Sequence, residues 1–245
     1  MNRRTFSKLS ALGIIAASAP VNATNTFFNI LSKNELLGKG SPALIETVSY
    51  KLRPEAAKAY ENMRSAAAKD GIDFKVVSSY RDYNHQNRIW ERKYRKFIKS
   101  GLTPIKAIEK IIEYSTIPGT SRHHWGTDLD IVDGSKNANG DLLVPSKFHG
   151  DGPFCKFKLW MNENANAYGF YLVYTDTYHR KGFKYEPWHY SYKPLSLEYL
   201  HEYKKLDILK ILQSNRLMGS DNFTTTFVDR YLKDNVLDIN PDLLS

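Results

Sequence analysis

The residues best suited to chemistry fall in two short stretches, Ser121-Arg122-His123-His124-Trp125-Gly126-Thr127-Asp128-Leu129-Asp130 and Glu186-Pro187-Trp188-His189. Zinc takes imidazole and carboxylate ligands, and a catalytic zinc site keeps one position open. The first stretch offers His123 and Asp130, and the second offers His189. Glu186 precedes His189 by three residues and is left over as a candidate base. Three ligands with a non-ligating carboxylate are what metal-assisted hydrolysis needs. Each residue alone has a plain alternative: a solvated loop for His123 and Asp130, a surface ion pair for Glu186, a core imidazole for His189. The pairing of the two stretches carries the zinc reading.

Arg81 is a further candidate. A planar guanidinium grips a carboxylate with two parallel hydrogen bonds, and a peptide's free C-terminus is such a group. Ser121 can add a hydroxyl to the same anion or cap a turn. Pro187 disfavours a helical Glu186 and stiffens the approach to the following strand. His124 adjoins a proposed ligand and suits a supporting position, and His179 is near enough in sequence to Glu186 to lie by the site. His85, His149 and His201 read as surface residues. Trp125 and Trp188 are cleft walls or core residues.

These side chains must be positioned by the elements around them. Pro54 to Lys69 reads as a helix, with Pro54 in its first turn and Gly71 beyond its end. Phe74 to Tyr80 reads as a strand, Asn84 to Lys99 as a helix, and a helix from Thr103 and Pro104 runs to about Tyr114. Thr127 to Val132 alternates as a half-buried strand would, so Asp128 and Asp130 share one face. Asp133 to Asp141, with Asn139-Gly140, reads as a hairpin loop. It lacks the spacing of a calcium loop. Phe154 to Tyr168 is helical and ends at Gly169, and Phe170 to Tyr174 and Trp188 to Tyr192 are strands. Ser196 is expected to cap a helix reaching Ser214, with a last helix over Thr224 to Lys233. The mixed order indicates an α+β fold.

Met1 to Ala23 reads as an export signal. It has a charged start, an apolar stretch from Leu9 to Ala19 too short to span a bilayer, and a small-residue cleavage site at Val21-Asn22-Ala23. Arg3-Arg4-Thr5-Phe6-Ser7-Lys8 is similar to a twin-arginine signal, which points to the periplasm. Ser7 departs from that pattern and leaves a general secretory route open. The net charge of +9 falls to +6 once Arg3, Arg4 and Lys8 are set aside. No nucleic-acid module accompanies it, so the basic surface suits an anionic cell wall or membrane rather than nucleic acid. No later segment is apolar enough to span a membrane. One cysteine, Cys155, excludes an intrachain disulfide and reads as a small buried hydrophobe.

Ser121-x-His123-x-x-Gly126-x-x-x-Asp130 followed by Glu186-x-x-His189 resembles the zinc D-alanyl-D-alanine carboxypeptidases of the VanY type. That group shares its metal-site architecture with hedgehog-like and lysostaphin-like proteins. The resemblance extends over Ser79-Tyr80-Arg81-Asp82-Tyr83 with Gln86, and over Trp160 to Phe170. It implies a small antiparallel sheet flanked by helices, with His123, Asp130 and His189 as zinc ligands. It implies Glu186 as the catalytic base and Arg81 with Ser121 as binders of the substrate carboxylate. Asp128 departs from the pattern, since many relatives carry alanine there.

The expected organisation is a signal over 1–23, a lead-in over 24–50, a zinc peptidase domain over 51–193 and a C-terminal helical extension over 194–245. The expected activity is release of the terminal D-alanine from peptidoglycan stem peptides. The alternatives are an endopeptidase that cuts cross-links, or a zinc-containing wall-binding module without turnover. Oligomeric state is not legible in the sequence.

Overall fold

Ser32 opens the first helix, α1 (Lys33–Leu36), with a reciprocal cap: its hydroxyl accepts from the Glu35 N–H, and the Glu35 carboxylate accepts from the Ser32 N–H. This is the start of what the computed structural model describes, residues 31–245; the export signal expected over residues 1–23 lies outside them. Leu36 and Leu37 are buried in the core and anchor the described part of the lead-in there. A small hairpin, β1 (Ile45–Glu46) with β2 (Lys51–Leu52), then delivers the chain to α2 (Pro54–Lys69). Pro54 suits the first turn of α2, where the missing N–H costs no intrahelical bond. Ala56, Ala57, Tyr60, Met63 and Ala67 make the buried stripe of that helix.

Strand β3 (Phe74–Ser78) leads into α3 (Tyr83–Lys99), whose cap is Asp82 accepting from the His85 N–H at 2.6 Å. Helix α4 (Pro104–Ile111) follows, shorter than the sequence suggests. Strand β4 (Asp128–Asp133) comes next, then α5 (Cys155–Asn164), β5 (Phe170–Leu172) and β6 (His189–Tyr192). The four longer-range strands form one antiparallel sheet in the order β3-β4-β6-β5. Helices α6 (Lys193–Tyr203), α7 (Ile208–Ser214) and α8 (Thr225–Tyr231) complete the described chain. The expected α+β architecture, a small antiparallel sheet flanked by helices with a helical C-terminal region, is what forms.

Several local expectations are corrected. The strand expected to be half-buried is buried along its whole length, because β4 is central and covered on both faces. Its loop after Asp133 is no hairpin: β4 pairs with β3 and with the distant β6. The helix from Phe154 ends at Asn164 and passes into a 3₁₀ turn, Ala165–Tyr168, before Gly169. Ser196 lies buried inside α6 instead of capping it, and the expected single helix breaks near Lys204, with Asp207 capping α7. Cys155 opens α5 and is only partly buried.

Two apolar clusters hold the fold. Phe74, Phe157, Trp160, Leu129, Ile131 and Tyr190 belong to the one between the sheet, α2 and α5. Trp90, Ile108, Trp125, Tyr203 and Tyr231 belong to the one that joins α3 and α4 to the C-terminal helices. The Tyr203 hydroxyl donates to the Gly119 carbonyl at 3.1 Å, and the Tyr231 hydroxyl accepts from the Ile117 N–H at 3.1 Å. The C-terminal helices thus clamp the loop that enters the Ser121–Asp130 stretch.

Candidate metal centre

A 3₁₀ turn, Arg122–Trp125, presents His123 and ends at Gly126. Gly126 has φ 71°, a left-handed conformation that strains residues with a side chain, so glycine suits the bend that redirects the chain into β4. Antiparallel register then sets Asp130 opposite His189 and Asp128 opposite Ser191. Opposite residues share a sheet face, so all four side chains project to the same side. Glu186 lies in the loop before β6, held by its N–H donating to the Tyr174 carbonyl at 3.1 Å.

His123, Asp130 and His189 converge, each buried, with one ligand atom apiece lying within 4.8 Å of the others. The Nδ1–H of His123 donates to the Ser79 carbonyl at 2.8 Å, leaving Nε2 to face Asp130 Oδ2 at 3.4 Å. His189 turns Nδ1 to the same carboxylate, 3.7 Å from Oδ1. Tetrahedral ligands about 2.0–2.2 Å from zinc stand about 3.3–3.6 Å apart, close to these separations. His123 Nε2 and Asp130 Oδ1 are buried without a hydrogen-bond partner among the described residues. Orphaned buried polar atoms are costly, and a divalent cation would satisfy both. Two imidazoles and one carboxylate are a donor set that suits zinc.

The electrostatics of His123, Asp130 and Glu186 agree with the geometry. Burial opposes the charge on His189, but the carboxylates of Asp128, Glu186 and Asp130 around it outweigh burial and raise its pKa to about 9; a bound cation would displace that charge. Burial lowers the pKa of His123, which favours the neutral ligating form. Burial opposes ionisation of Asp130, but His123 and His189 outweigh it and hold its pKa low. Glu186 Oε2 stands 3.0 Å from His189 Nδ1, outside the three-residue cluster, and burial raises its pKa above the ordinary glutamate value. A buried carboxylate with raised affinity for a proton is suited to proton transfer near neutral pH.

All of these groups line one cleft of about 510 Å³, together with Arg81 and Ser121. Arg81 Nε and Ser121 Oγ are buried there without partners among the described residues. The Arg81 loop is pinned to the metal cluster from two sides. Its N–H donates to the His123 carbonyl at 3.1 Å, and its carbonyl accepts from His124 Nδ1–H at 2.6 Å. His124 is therefore a buried brace, its Nε2 accepting from the Gly119 N–H at 3.1 Å. His179 is exposed and not among the cleft residues, contrary to expectation. His85, His149 and His201 are exposed, as expected. Trp188 lines the cleft, whereas Trp125 packs against Tyr203 in the core.

Among the cleft residues that sequence reasoning missed are Arg122, Tyr174 and Lys93. Tyr174 packs edge-on to the His189 ring with centroids 5.1 Å apart. Lys93 is half-buried on the wall formed by α3, where its ammonium donates to Ser115 Oγ at 2.6 Å. Nothing in the spacing of Tyr174 or Lys93 sets them apart from other residues of their type. Arg122 stood inside the motif, but an arginine beside a loop histidine reads as solvated.

Comparison with known proteins decides the family. Residues 49–195, more than half of the chain, match the family model described as VanY, D-alanyl-D-alanine carboxypeptidase. The chain belongs to the VanY family. It is 32% identical over 143 residues to a putative carboxypeptidase, YodJ, of Bacillus subtilis, covering 58% of this chain and 46% of that relative. It is 32% identical over 142 residues to VanXYC of Enterococcus gallinarum, a bifunctional D-Ala-D-Ala dipeptidase and carboxypeptidase, covering 58% of this chain and 66% of that one. The chain thus spans between about half and two thirds of the length of these two curated VanY-like relatives. A VanY variant from the VanB-type resistance cassette, solved in complex with Zn(II), superposes with a TM-score of 0.50 at 26% identity, over 67% of this chain and 85% of that one. The LdcB LD-carboxypeptidase does so with a TM-score of 0.50 at 27% identity, over 76% of this chain and 79% of that one.

Proposed function

We propose that this chain is a zinc-dependent D-alanyl-D-alanine carboxypeptidase that releases the terminal D-alanine of peptidoglycan stem peptides. One observation carries the reading: a buried carboxylate, Glu186, lies beside the His123–Asp130–His189 cluster without belonging to it, in the cleft that also holds Arg81. A binding module has no use for such a base. Membership of the VanY family and the Zn(II) complex of a VanY neighbour support the metal and the substrate class.

In this reading His123, Asp130 and His189 hold zinc, which when bound supplies a Lewis acid for the scissile carbonyl and acidifies water. Arg81 and Ser121 take the free carboxylate of the terminal D-alanine, which sets the distance from the chain end to the bond that breaks. Glu186 takes a proton from the attacking water at a carboxylate oxygen and returns it to the leaving amine. The C–N bond breaks, water supplies the new carboxylate of the shortened peptide, and D-alanine leaves with its amine protonated. Trp188 and Tyr174 line the cleft.

We assign the peptidase unit to residues 51–193 and the 194–245 helices to its support. We place the work of the chain in the periplasm, on the strength of the twin-arginine-like start at Arg3 and Arg4. Among the described residues no helix is long and apolar enough to cross a membrane.

Digestion of purified muropeptides with mass analysis tests the reading. The expected product is a pentapeptide stem shortened by one alanine. Scission of cross-linked dimers marks an endopeptidase, and loss of alanine from tetrapeptide stems marks the L,D-specificity named for LdcB. An unchanged digest in the presence of zinc refutes the enzyme reading.

A further inference from the structure

Asp128 has a surrounding built for a carboxylate. Its side chain is fully buried and accepts four hydrogen bonds. Arg122 Nε–H donates to Oδ1 at 2.9 Å and His189 Nε2–H donates to Oδ1 at 3.2 Å. Thr127 Oγ–H donates to Oδ2 at 2.5 Å, and Ser191 Oγ–H donates to Oδ2 at 3.0 Å. Arg122 is 3% exposed, so its charge has left water along with that of Asp128. A second arm of the guanidinium donates to Ser191 Oγ at 2.6 Å, and its plane lies over the Trp125 ring at 4.7 Å.

A carboxylate only accepts, so His189 must carry a proton on Nε2. With zinc bound, the Nδ1 lone pair serves the metal; that atom faces Asp130 Oδ1 at 3.7 Å and Glu186 Oε2 at 3.0 Å, the side on which the cation would lie. We propose that Asp128 is a positioning residue for the metal centre: its carboxylate selects the tautomer and ring orientation of His189, and Arg122 is the counter-ion that makes a second carboxylate tolerable there. Partners of this kind behind a ligating histidine raise its basicity and hold it still. The charge count gives the reason for the pair. Asp128, Asp130 and Glu186 would bring three carboxylates around one divalent cation. With Arg122 bound to Asp128, the added layer is neutral. Removal of either partner alone leaves a buried unpaired charge, which is strongly destabilising, so the two positions must change together.

The inference rests on the metal-site reading above, and its test separates the two. The full chain is titrated with zinc against a chromophoric chelator at neutral pH. Two charge-balanced double variants are compared with wild type: Arg122→Met with Asp128→Asn, which keeps an acceptor for Nε2–H, and Arg122→Met with Asp128→Ala, which does not. The expected result is about a 10- to 100-fold weaker zinc affinity for the alanine pair, the usual cost of losing such a partner. The asparagine pair should stay closer to wild type than to the alanine pair. Nitrogen-15 NMR of the zinc-loaded proteins should show a slowly exchanging His189 Nε2–H in wild type and the asparagine pair, and a rapidly exchanging one in the alanine pair. Should the alanine pair fail to fold, Arg122→Met with Asp128→Leu fills the space without an acceptor and takes its place. Equal zinc affinity in the acceptor-keeping and acceptor-lacking pairs, or equal exchange of the Nε2–H, overturns the proposal. Failure of wild type to bind zinc overturns the metal reading instead.

Discussion

The two faces of β4 and β6 share one hydrogen-bonded ladder and do opposite work. On one face Leu129 lies opposite Tyr190, and both join Ile131, Phe74 and Phe157 in an apolar cluster. On the other, Asp128 and Asp130 lie opposite Ser191 and His189. Phe74 meets Phe157 and Trp160 edge-on at 5.5 and 5.7 Å, geometry that adds about 0.5–1.5 kcal/mol per pair beyond area burial. The polar face gains nothing comparable. Burying charge costs more than a well-made ion pair usually returns. Its orphaned atoms, His123 Nε2 and Asp130 Oδ1, add to that cost. A strand whose alternate residues stabilise on one side and cost stability on the other is a scaffold carrying a site, and mutations on the two faces should separate activity from folding.

The largest separation is expected at Glu186. Glu186→Gln keeps the size of the side chain and removes the proposed proton acceptor, so turnover should fall by about 10²- to 10⁴-fold. Zinc content and unfolding temperature should stay near wild type. Metal analysis and kcat on a D-alanyl-D-alanine peptide check this. Near-normal turnover would assign the proton transfer to another group, with Tyr174 the next buried titratable side chain in the cleft.

The opposite face should give the converse. Phe157 is fully buried against Phe74 and Phe148. Phe157→Ala should cost about 3–5 kcal/mol of folding stability, the range for deleting a buried phenylalanine. Denaturant unfolding measures it. The zinc affinity of the protein that remains folded should be unchanged, since none of the proposed ligands is among the aromatic partners of this ring. A loss of zinc affinity equal to the loss of stability would show that the two faces are not separable.

How legible this division was in the sequence differs between its parts. The first long helix, α2, was readable to the residue, because Pro54 and the alanines are local signals with local causes. That His123 and Asp130 approach one another was readable from the bend at Gly126 and a strand period of two, whereas His189 was joined to them only through the paired motif and the resemblance it carries. The expected hairpin after Asp133 was not: Asn139-Gly140 does turn, with Gly140 at φ 71°, but β4 finds its partner in β6, which no local pattern announces. The break between α6 and α7 was hidden because neither glycine nor proline marks it. Its cause is the Asp207 side chain capping a new helix. The bond between Asp128 and Arg122 was invisible for another reason. Both residue types are solvated by default, and only burial by the sheet and by Trp125 makes them a pair.

A smaller effect than either face should come from Arg81 in the cleft wall. A charged bidentate pair is worth about 1.5–3 kcal/mol, so Arg81→Ala should lower kcat/KM by about 10- to 150-fold. The loss should be confined to peptides with a free C-terminal carboxylate. C-terminal amides, already poor, should change little, and Arg81→Lys should rescue only in part for want of the planar fork. Equal losses on the acid and the amide would remove Arg81 from carboxylate recognition and favour the endopeptidase.

The smallest effect tests the comparison from outside the sheet. Glu113 lies just beyond α4, and its carboxylate meets Lys110 at 3.0 Å and Lys184 at 2.9 Å. Lys184 belongs to the loop that leads to Glu186, and its N–H also donates to the Glu113 carbonyl at 2.9 Å. Partial burial pushes the Glu113 carboxyl up, but the two lysines outweigh it and lower its pKa below the ordinary 4.5. A lowered carboxylate pKa stabilises the folded state fully above the unfolded value, and the contribution is lost as pH falls through the folded value. Both lysines are about half exposed, so solvent and salt screen the pairs, and such pairs are worth roughly 0–1 kcal/mol. Glu113→Gln should therefore lower the unfolding temperature slightly at neutral pH. The difference from wild type should shrink in high salt and vanish once the pH is below the folded pKa of Glu113. Because the backbone bond survives the substitution, kcat/KM should hold. If it falls with the unfolding temperature, the loop carrying Glu186 depends on this surface pair, and the site is less insulated from the rest of the molecule than the two faces of the sheet imply.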